Sequence, residues 1–375
     1  MERIPTMTMR AACVLMTIAG LLSCAAPPGD DAAGDRAAAP TAGEQYARLR
    51  DQAMEEIGAW GIPDADAPDP RPVWADRLAA FAAEHPGSPE AGEALHGAMT
   101  LRAARQNAAG FFKAYDMMLA IAPDSPRLPE VFEDVAAMHM VEEAGYGIME
   151  TQDLEVRKRA HVRALERIVA DLKRAIEATS RRETKAAAHL AIGLNLHDAS
   201  ADPARSLEHF YIVSKEYPES HLAGSAREYA EEIERMATGK PAPDFTATTL
   251  GGRTVSLSSF EGKILLLVFW RTECEACAQQ HTELERVERR FRHLGFRVLG
   301  INLDADVERA ASQAKEAGIR WQVVASGAGM ADPIARAYGV RDVPMSYLIG
   351  RDGTIQARAL WGREVVRAVS RLIEH

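Results

Sequence analysis

Residues 264–277 read Ile264-Leu265-Leu266-Leu267-Val268-Phe269-Trp270-Arg271-Thr272-Glu273-Cys274-Glu275-Ala276-Cys277. The run from Ile264 to Phe269 is continuously apolar, the pattern of a strand buried on both faces. Helix-forming residues follow the cysteines as far as about Phe291. A Cys-x-x-Cys therefore falls where a strand hands over to a helix, and that placement reads as a dithiol redox site. The helix start supplies the chemistry. Its free N–H groups and its dipole favour negative charge, so the first thiol ionises more readily. The thiolate is the species that attacks a disulfide. The two-residue spacing lets Cys277 reach back and resolve a mixed disulfide formed at Cys274.

The chain has 375 residues, long enough for about two domains, and a net charge of −10. No basic cluster points to nucleic acid. The cysteines are Cys13, Cys24, Cys274 and Cys277. Cys13 lies inside an apolar leader and Cys24 ends it, so no framework of structural disulfides is left to build. The dithiol needs no bound cofactor.

Residues 1–23 have the pattern of a signal peptide. Arg3 and Arg10 come first, then an apolar run from Ala11 to Leu22 that is too short to span a bilayer. Leu21-Leu22-Ser23-Cys24 resembles a bacterial lipobox, in which cleavage precedes the cysteine and its sulfur takes a lipid. That resemblance implies an extracytoplasmic lipoprotein, anchored on the periplasmic side of a membrane through Cys24. Residues 24–72 read as a linker. Ala25 to Ala42 is Ala, Pro, Gly and Asp, which cannot bury enough apolar surface to order itself. A short helix follows from Gly43 to Trp60, and the proline-rich Gly61 to Pro72 breaks it.

Residues 73–237 read as helical throughout, with apolar residues at helical spacing as in Trp74, Leu78, Phe81, Leu95 and Met99. A short phrase recurs at His85-Pro86-Gly87-Ser88-Pro89, Ala122-Pro123-Asp124-Ser125-Pro126 and Tyr217-Pro218-Glu219-Ser220. Proline closes one helix and serine can cap the next. The phrase resembles the turns between tetratricopeptide-like (TPR-like) helical hairpins, in a degenerate array. A plain helical bundle is the other reading. Either way, this region is the place for a protein partner.

Gly239-Lys240-Pro241-Ala242-Pro243 marks a boundary, and residues 238–375 alternate strands and helices, which implies a central sheet covered by helices. Strands are expected at Thr246–Thr248, Thr254–Leu257, Ile264–Trp270, Phe296–Leu303, Trp321–Val324, Met345–Ile349 and Thr354–Ala359. Helices are expected at Glu275–Phe291, Val307–Ala317, Pro333–Tyr338 and Arg363–Ile373.

Four features in order carry a family resemblance: Pro241-Ala242-Pro243-Asp244-Phe245, the strand into Phe269-Trp270 and the Cys-x-x-Cys, the strand from Phe296, and Tyr338-Gly339-Val340-Arg341-Asp342-Val343-Pro344. The last third of the chain resembles the thioredoxin superfamily, and within it the extracytoplasmic TlpA/ResA-type thiol-disulfide oxidoreductases. The resemblance implies an α/β fold with a central mixed sheet behind the all-α helical-hairpin domain. It implies an enzyme that exchanges disulfides with protein substrates and takes electrons from an upstream donor. It also implies a cis Pro344 facing the cysteines, Val343 beside it in the substrate groove, and Trp270 next to the dithiol.

Several positions depart from that family. Glu273 stands where an aromatic residue is usual, and Glu275-Ala276 lies between the cysteines. Val268 replaces a buried carboxylate, and Thr282 replaces a helix proline. Glu273 and Glu275 place like charge beside an ionising Cys274, which disfavours the thiolate. The dithiol is then a better electron donor. His281 follows Cys277 by one helical turn. With both cysteines it makes only three ligands, whereas a structural zinc takes four, so it reads as an ordinary helix histidine. Cys277 is followed by Ala278, which excludes haem attachment. Pro241–Phe245 also occurs in peroxiredoxins, but Arg271 stands where that family needs threonine. A helical-repeat interaction protein with a secondary redox domain is a further reading. Lipidation carries a direct expectation: a Cys24→Ser chain leaves the membrane fraction, and one that still sediments wholly with membranes would refute the anchor.

Overall fold

The structure is a computed structural model that describes residues 39–60, 68–145, 154–198 and 203–374. Cys13, Cys24 and the leader lie outside the described residues. By compactness the chain forms two units. One runs up to Asn195 and takes in Ile212–Ala223; the other joins Leu196–Tyr211 to the residues from Gly224 onward.

The described part of the first unit is built of helices. They include α1 (Ala42–Trp60), α2 (Arg71–Glu84), α3 (Pro89–Ala103), α4 (Ala108–Ile121), α5 (Phe132–Gly145), α6 (Leu154–Ala178) and most of α7 (Arg182–Asp198). The recurring phrase does what its residues dictate between α2 and α3. Ser88 caps α3 by accepting the Ala91 N–H at 3.1 Å, and Pro89 occupies the first turn, where its missing N–H costs nothing. The second copy works differently. Asp124 leaves the turn to accept the Ser180 N–H at 2.6 Å and the Thr179 hydroxyl at 2.9 Å, tying it to the connection after α6. Trp74, Leu95, Met99, Phe111, Tyr115 and Met118 are fully buried and form the middle of this unit's core. Among the described residues no helix is long and apolar enough to cross a membrane.

Helices α8 (Pro203–Glu216) and α9 (Ala223–Arg235) precede the α/β part. There β1 (Thr246–Thr248) and β2 (Thr254–Ser256) form a small antiparallel hairpin, after which Leu257 opens a 3-10 turn instead of extending β2. Strands β3 (Ile264–Trp270), β4 (Phe296–Asn302), β5 (Gln322–Ala325), β6 (Met345–Ile349) and β7 (Ile355–Arg358) make one five-stranded sheet in the order β5-β4-β3-β6-β7. Pairings β3–β4 and β4–β5 are parallel; β3–β6 and β6–β7 are antiparallel. The domain is thus thioredoxin-like, with a mixed sheet.

All seven residues of β3 are buried, because the strand is central and both faces are covered. Its side chains alternate between two cores, as a period of two requires. Leu265, Leu267 and Phe269 join Phe245, Tyr338 and Tyr347 on one face. Ile264, Leu266, Val268 and Trp270 face Leu284, Val287 and Phe291 of α10 (Glu275–Phe291) together with Val365 and Val369 of α13 (Arg363–Glu374). The shorter α11 (Val307–Glu316) and α12 (Pro333–Ala337) complete the fold. Met236, just after α9, lies in the first of these cores, so the compact unit extends back past the composition boundary at Ala237–Pro243.

Candidate active site

The sheet register brings three chain segments to one edge. Trp270 ends β3 opposite Asn302, the last residue of β4, and Phe269 pairs with Met345, the first of β6. One step further along that antiparallel register sets Pro344 level with Trp270. The Val343–Pro344 peptide is cis, and Val343 is half-buried between the two cores of the sheet.

Cys274 and Cys277 are joined as a disulfide. Cys274 is the N-cap of α10, with extended backbone, and its Sγ accepts the Cys277 N–H at 3.1 Å. In the reduced state the same donor and the helix dipole point at this sulfur, and both favour its thiolate. Cys274 is half-buried, whereas Cys277 is 1% exposed beneath the first turn of α10. The arrangement offers one sulfur to an incoming disulfide and keeps the other inside.

The connection from β3 to the helix is pinned from β4. Asp304 accepts the Thr272 N–H at 3.0 Å, the Thr272 hydroxyl, and the Asn302 amide at 2.8 Å. Asn302 is fully buried. Sequence reasoning passed over this pair. Its signal was an Asn-x-Asp at the carboxyl end of a parallel strand, the edge where α/β sheets place their sites.

Glu273 and Glu275 are both exposed beside Cys274. Glu273 is not a free charge, because Arg309 of α11 holds it at 2.8 Å. Such an exposed pair stabilises the fold by about 1 kcal/mol or less, yet it offsets one of the two negative charges at the dithiol. Glu275, in the first turn of α10, accepts a hydrogen bond from Gln279 at 3.3 Å and has no cation paired with it among the described residues. The charge opposing a thiolate therefore rests mainly on Glu275. Val268 is buried between Gly300 and Ser346 in the register, among apolar neighbours.

His281 departs from its reading as an ordinary helix histidine. It is 4% exposed and stands edge-on to Trp270, ring centroids 4.8 Å apart, and to Trp321 at 5.9 Å. Gly300 makes room for both indoles. A Cβ there would lie 3.1 Å from each indole nitrogen. His281 lies one turn after Cys277 on α10, and Cys277 shares its core with Trp270 and Trp321, the two indoles His281 meets. Burial lowers its pKa to about 4. Gln280, also buried, donates to the Leu360 carbonyl at 3.1 Å and moors α10 to the segment before α13.

These features define a thioredoxin-like domain with a Cys-x-x-Cys disulfide at a helix start. Residues 238–358 match the model of the AhpC/TSA family. The domain is homologous to thiol-disulfide oxidoreductases of the ResA kind. It is 28% identical over 127 residues to thiol-disulfide oxidoreductase ResA of Bacillus cereus, covering 34% of this chain and 72% of the relative. With the ResA of Geobacillus thermodenitrificans it shares 27% over 121 residues, 32% of this chain and 68% of the relative. Among solved structures it is similar to the thioredoxin domain of a thiol-disulfide oxidoreductase from Bacteroides vulgatus, at 28% identity and a TM-score of 0.35. That match covers 36% of this chain and 98% of the other.

The buried imidazole makes stability depend on pH. The folded-state pKa of His281 is about 4, below the ordinary 6.5. Both states are neutral above pH 6.5, so its contribution is fully present there. It falls away as pH drops from 6.5 towards 4, because only the unfolded chain takes up the proton. Denaturant unfolding at pH 7 and pH 4.5 should show a larger loss for the wild type than for His281→Leu. Equal losses would mean that the imidazole is open to protons in the folded chain.

Proposed function

We propose that this protein is a membrane-anchored, extracytoplasmic thiol-disulfide oxidoreductase that works in the reducing direction. The observation that carries the proposal is the asymmetry of the cysteines. One is a half-exposed N-cap whose sulfur receives a backbone N–H, and the other is buried within bonding distance of it. In the reduced protein the Cys274 thiolate attacks one sulfur of a substrate disulfide and the other sulfur leaves as a thiolate. The Cys277 thiol loses its proton and attacks Cys274, which releases the substrate's second sulfur. The substrate gains two electrons and the protein keeps the Cys274–Cys277 disulfide. An upstream dithiol donor must reduce that bond again.

The reducing direction follows from Glu275. Its charge at the helix start raises the cost of the Cys274 thiolate and so destabilises the dithiol form relative to the disulfide. Residues 238–375 are the redox domain in this reading, with Val343 and Pro344 lining the substrate groove beside the cysteines, while Trp270 is buried in the core that backs Cys277 and does not line it. Residues 73–237 form TPR-like hairpins that receive a protein partner. A lipid on Cys24 holds the chain to the membrane, and the lipobox-like Leu21–Cys24 supports it.

Insulin reduction by the full chain, with dithiothreitol as donor, tests the proposal. Cys274→Ala should abolish turnover. Cys277→Ala should strand substrate on Cys274 as an adduct that excess dithiothreitol releases. Glu275→Gln should lower the Cys274 pKa and make the reduction potential less negative in a glutathione titration. Adducts formed through Cys277 in Cys274→Ala would reverse the assignment of the two thiols. Peroxide consumption that outpaces insulin reduction would replace the proposal with a peroxidase.

A further inference from the structure

Arg341 lies three residues before Pro344, in the loop that leads into β6. A loop arginine at this edge would ordinarily be a free, solvated charge. Here α9 holds it from two sides. Its Nη2 donates to Glu232 Oε2 at 2.8 Å, and its guanidinium carbon lies 4.3 Å over the Tyr229 ring. Tyr229 is itself braced by stacking on Phe210 of α8, with centroids 5.0 Å apart and planes within 13°. Glu232 is mostly buried, at 15% side-chain exposure, and its second oxygen sits 3.6 Å from the buried His197. Burial opposes its ionisation, yet the neighbouring His197 ring and the hydrogen bond from Arg341 hold its carboxyl below the usual carboxylate range.

The backbone of the loop also comes close to α9. Gly339, with φ at +62°, lies so close to Glu232 that an added Cβ would stand 2.5 Å from Oε1. The left-handed backbone favours glycine there, and a side chain would push the Glu232 carboxylate aside. The loop carrying Val343 and Pro344 is therefore seated on α9 through the Arg341 side chain, with Gly339 lying close against Glu232. The helix is joined to the sheet by Met236, which lies in the same core as Tyr338 and Val340 at the start of the loop.

We propose that Glu232 and Tyr229 are positioning residues for the substrate loop, acting through Arg341. Helix α9 is then a working wall of the substrate apparatus and not part of a spacer. The inference rests on the reading of the Pro344 loop as the place where a polypeptide disulfide docks. A protein substrate must lay backbone along that loop, whereas a small aromatic disulfide needs only the exposed sulfur of Cys274. Loosening the loop should therefore penalise the first substrate more than the second.

The test uses the full chain with Glu232→Gln, Arg341→Ala, the pair together, Tyr229→Leu and Arg341→Lys. Reduction of insulin is compared with reduction of 5,5′-dithiobis(2-nitrobenzoic acid). Glu232→Gln and Arg341→Ala should each raise KM for insulin about three- to tenfold, with a smaller effect on the small disulfide. Their double variant should be no worse than the poorer single one, because both remove the same contact. Arg341→Lys keeps the charge but not the planar, stacking guanidinium and should recover only part of the loss. Should Glu232→Gln fold poorly by circular dichroism, Tyr229→Leu removes the same support from the other side and should show the same selective rise in KM. Equal losses on both disulfides, additive losses in the double variant, or an unchanged KM would overturn the proposal. A wild type that reduces neither disulfide would instead refute the redox reading beneath it.

Discussion

The site depends on β3 being the central strand of the sheet. A strand buried on both faces cannot shift by one residue without exchanging its two sets of side chains between opposite cores. Leu265, Leu267 and Phe269 meet an aromatic core that includes Tyr338 and Tyr347, while Ile264, Leu266, Val268 and Trp270 meet α10 and α13. These two environments hold the register against β4 and β6. The register in turn determines where the chain leaves the sheet. That exit point places Cys274 at the start of α10 and brings Asn302 and Pro344 to the same edge. Redox chemistry needs a sulfur held beside helix N–H groups, and the packing of a strand that carries no reactive group supplies that geometry.

The electrostatics at Cys274 are a balance of short-range terms. The Cys277 N–H and the helix dipole favour a thiolate, and the carboxylate of Glu275 opposes one. Glu273 contributes less to that opposition than its proximity in the chain implies, because Arg309 pairs with it from α11. On the inner side the neighbours of Cys277 are apolar and aromatic. Burial favours the neutral form of His281 there, so that histidine sets no fixed charge on this side of the helix. The two cysteines thus occupy different dielectric surroundings one helical turn apart. In the function proposed above, this difference separates an attacking sulfur from a resolving one.

The helices that precede the sheet are not all alike. Helices α2 to α4 bury Trp74, Phe111 and Tyr115 inside the first unit, where Trp74 donates to Glu56 of α1 and Tyr115 to the Asp171 carbonyl of α6. Helix α9 directs Tyr229 and Glu232 at the loop before Pro344, and Met236 follows it into the core of the sheet. A carboxylate that is largely desolvated is costly unless it is paired, and Glu232 finds its partners in Arg341 and His197. That cost is a physical reason for α9 and the loop to remain together.

The sequence by itself determined the elements and the reactive pair. Continuous apolar character marked β3, a Cys-x-x-Cys at its end marked the pair that forms the disulfide, and Pro-Gly-Ser marked the turn from α2 to α3. These signals are local: each depends on residues a few positions apart, and backbone propensity or capping decides the outcome. The bounds of the later strands and helices were legible for the same reason. The tertiary structure alone decided the surroundings of the pair. Glu273 meets Arg309, thirty-six residues away in the chain. Thr272 meets Asp304, thirty-two residues on, and Arg341 meets Glu232 across 109 residues. His281 looked like an ordinary helix residue because only the folded sheet brings Trp270 and Trp321 against it. Nothing in the local pattern encodes such partners. They arise because parallel and antiparallel pairing in one sheet brings distant strand ends to a single edge, where charge and burial act through space and not along the chain.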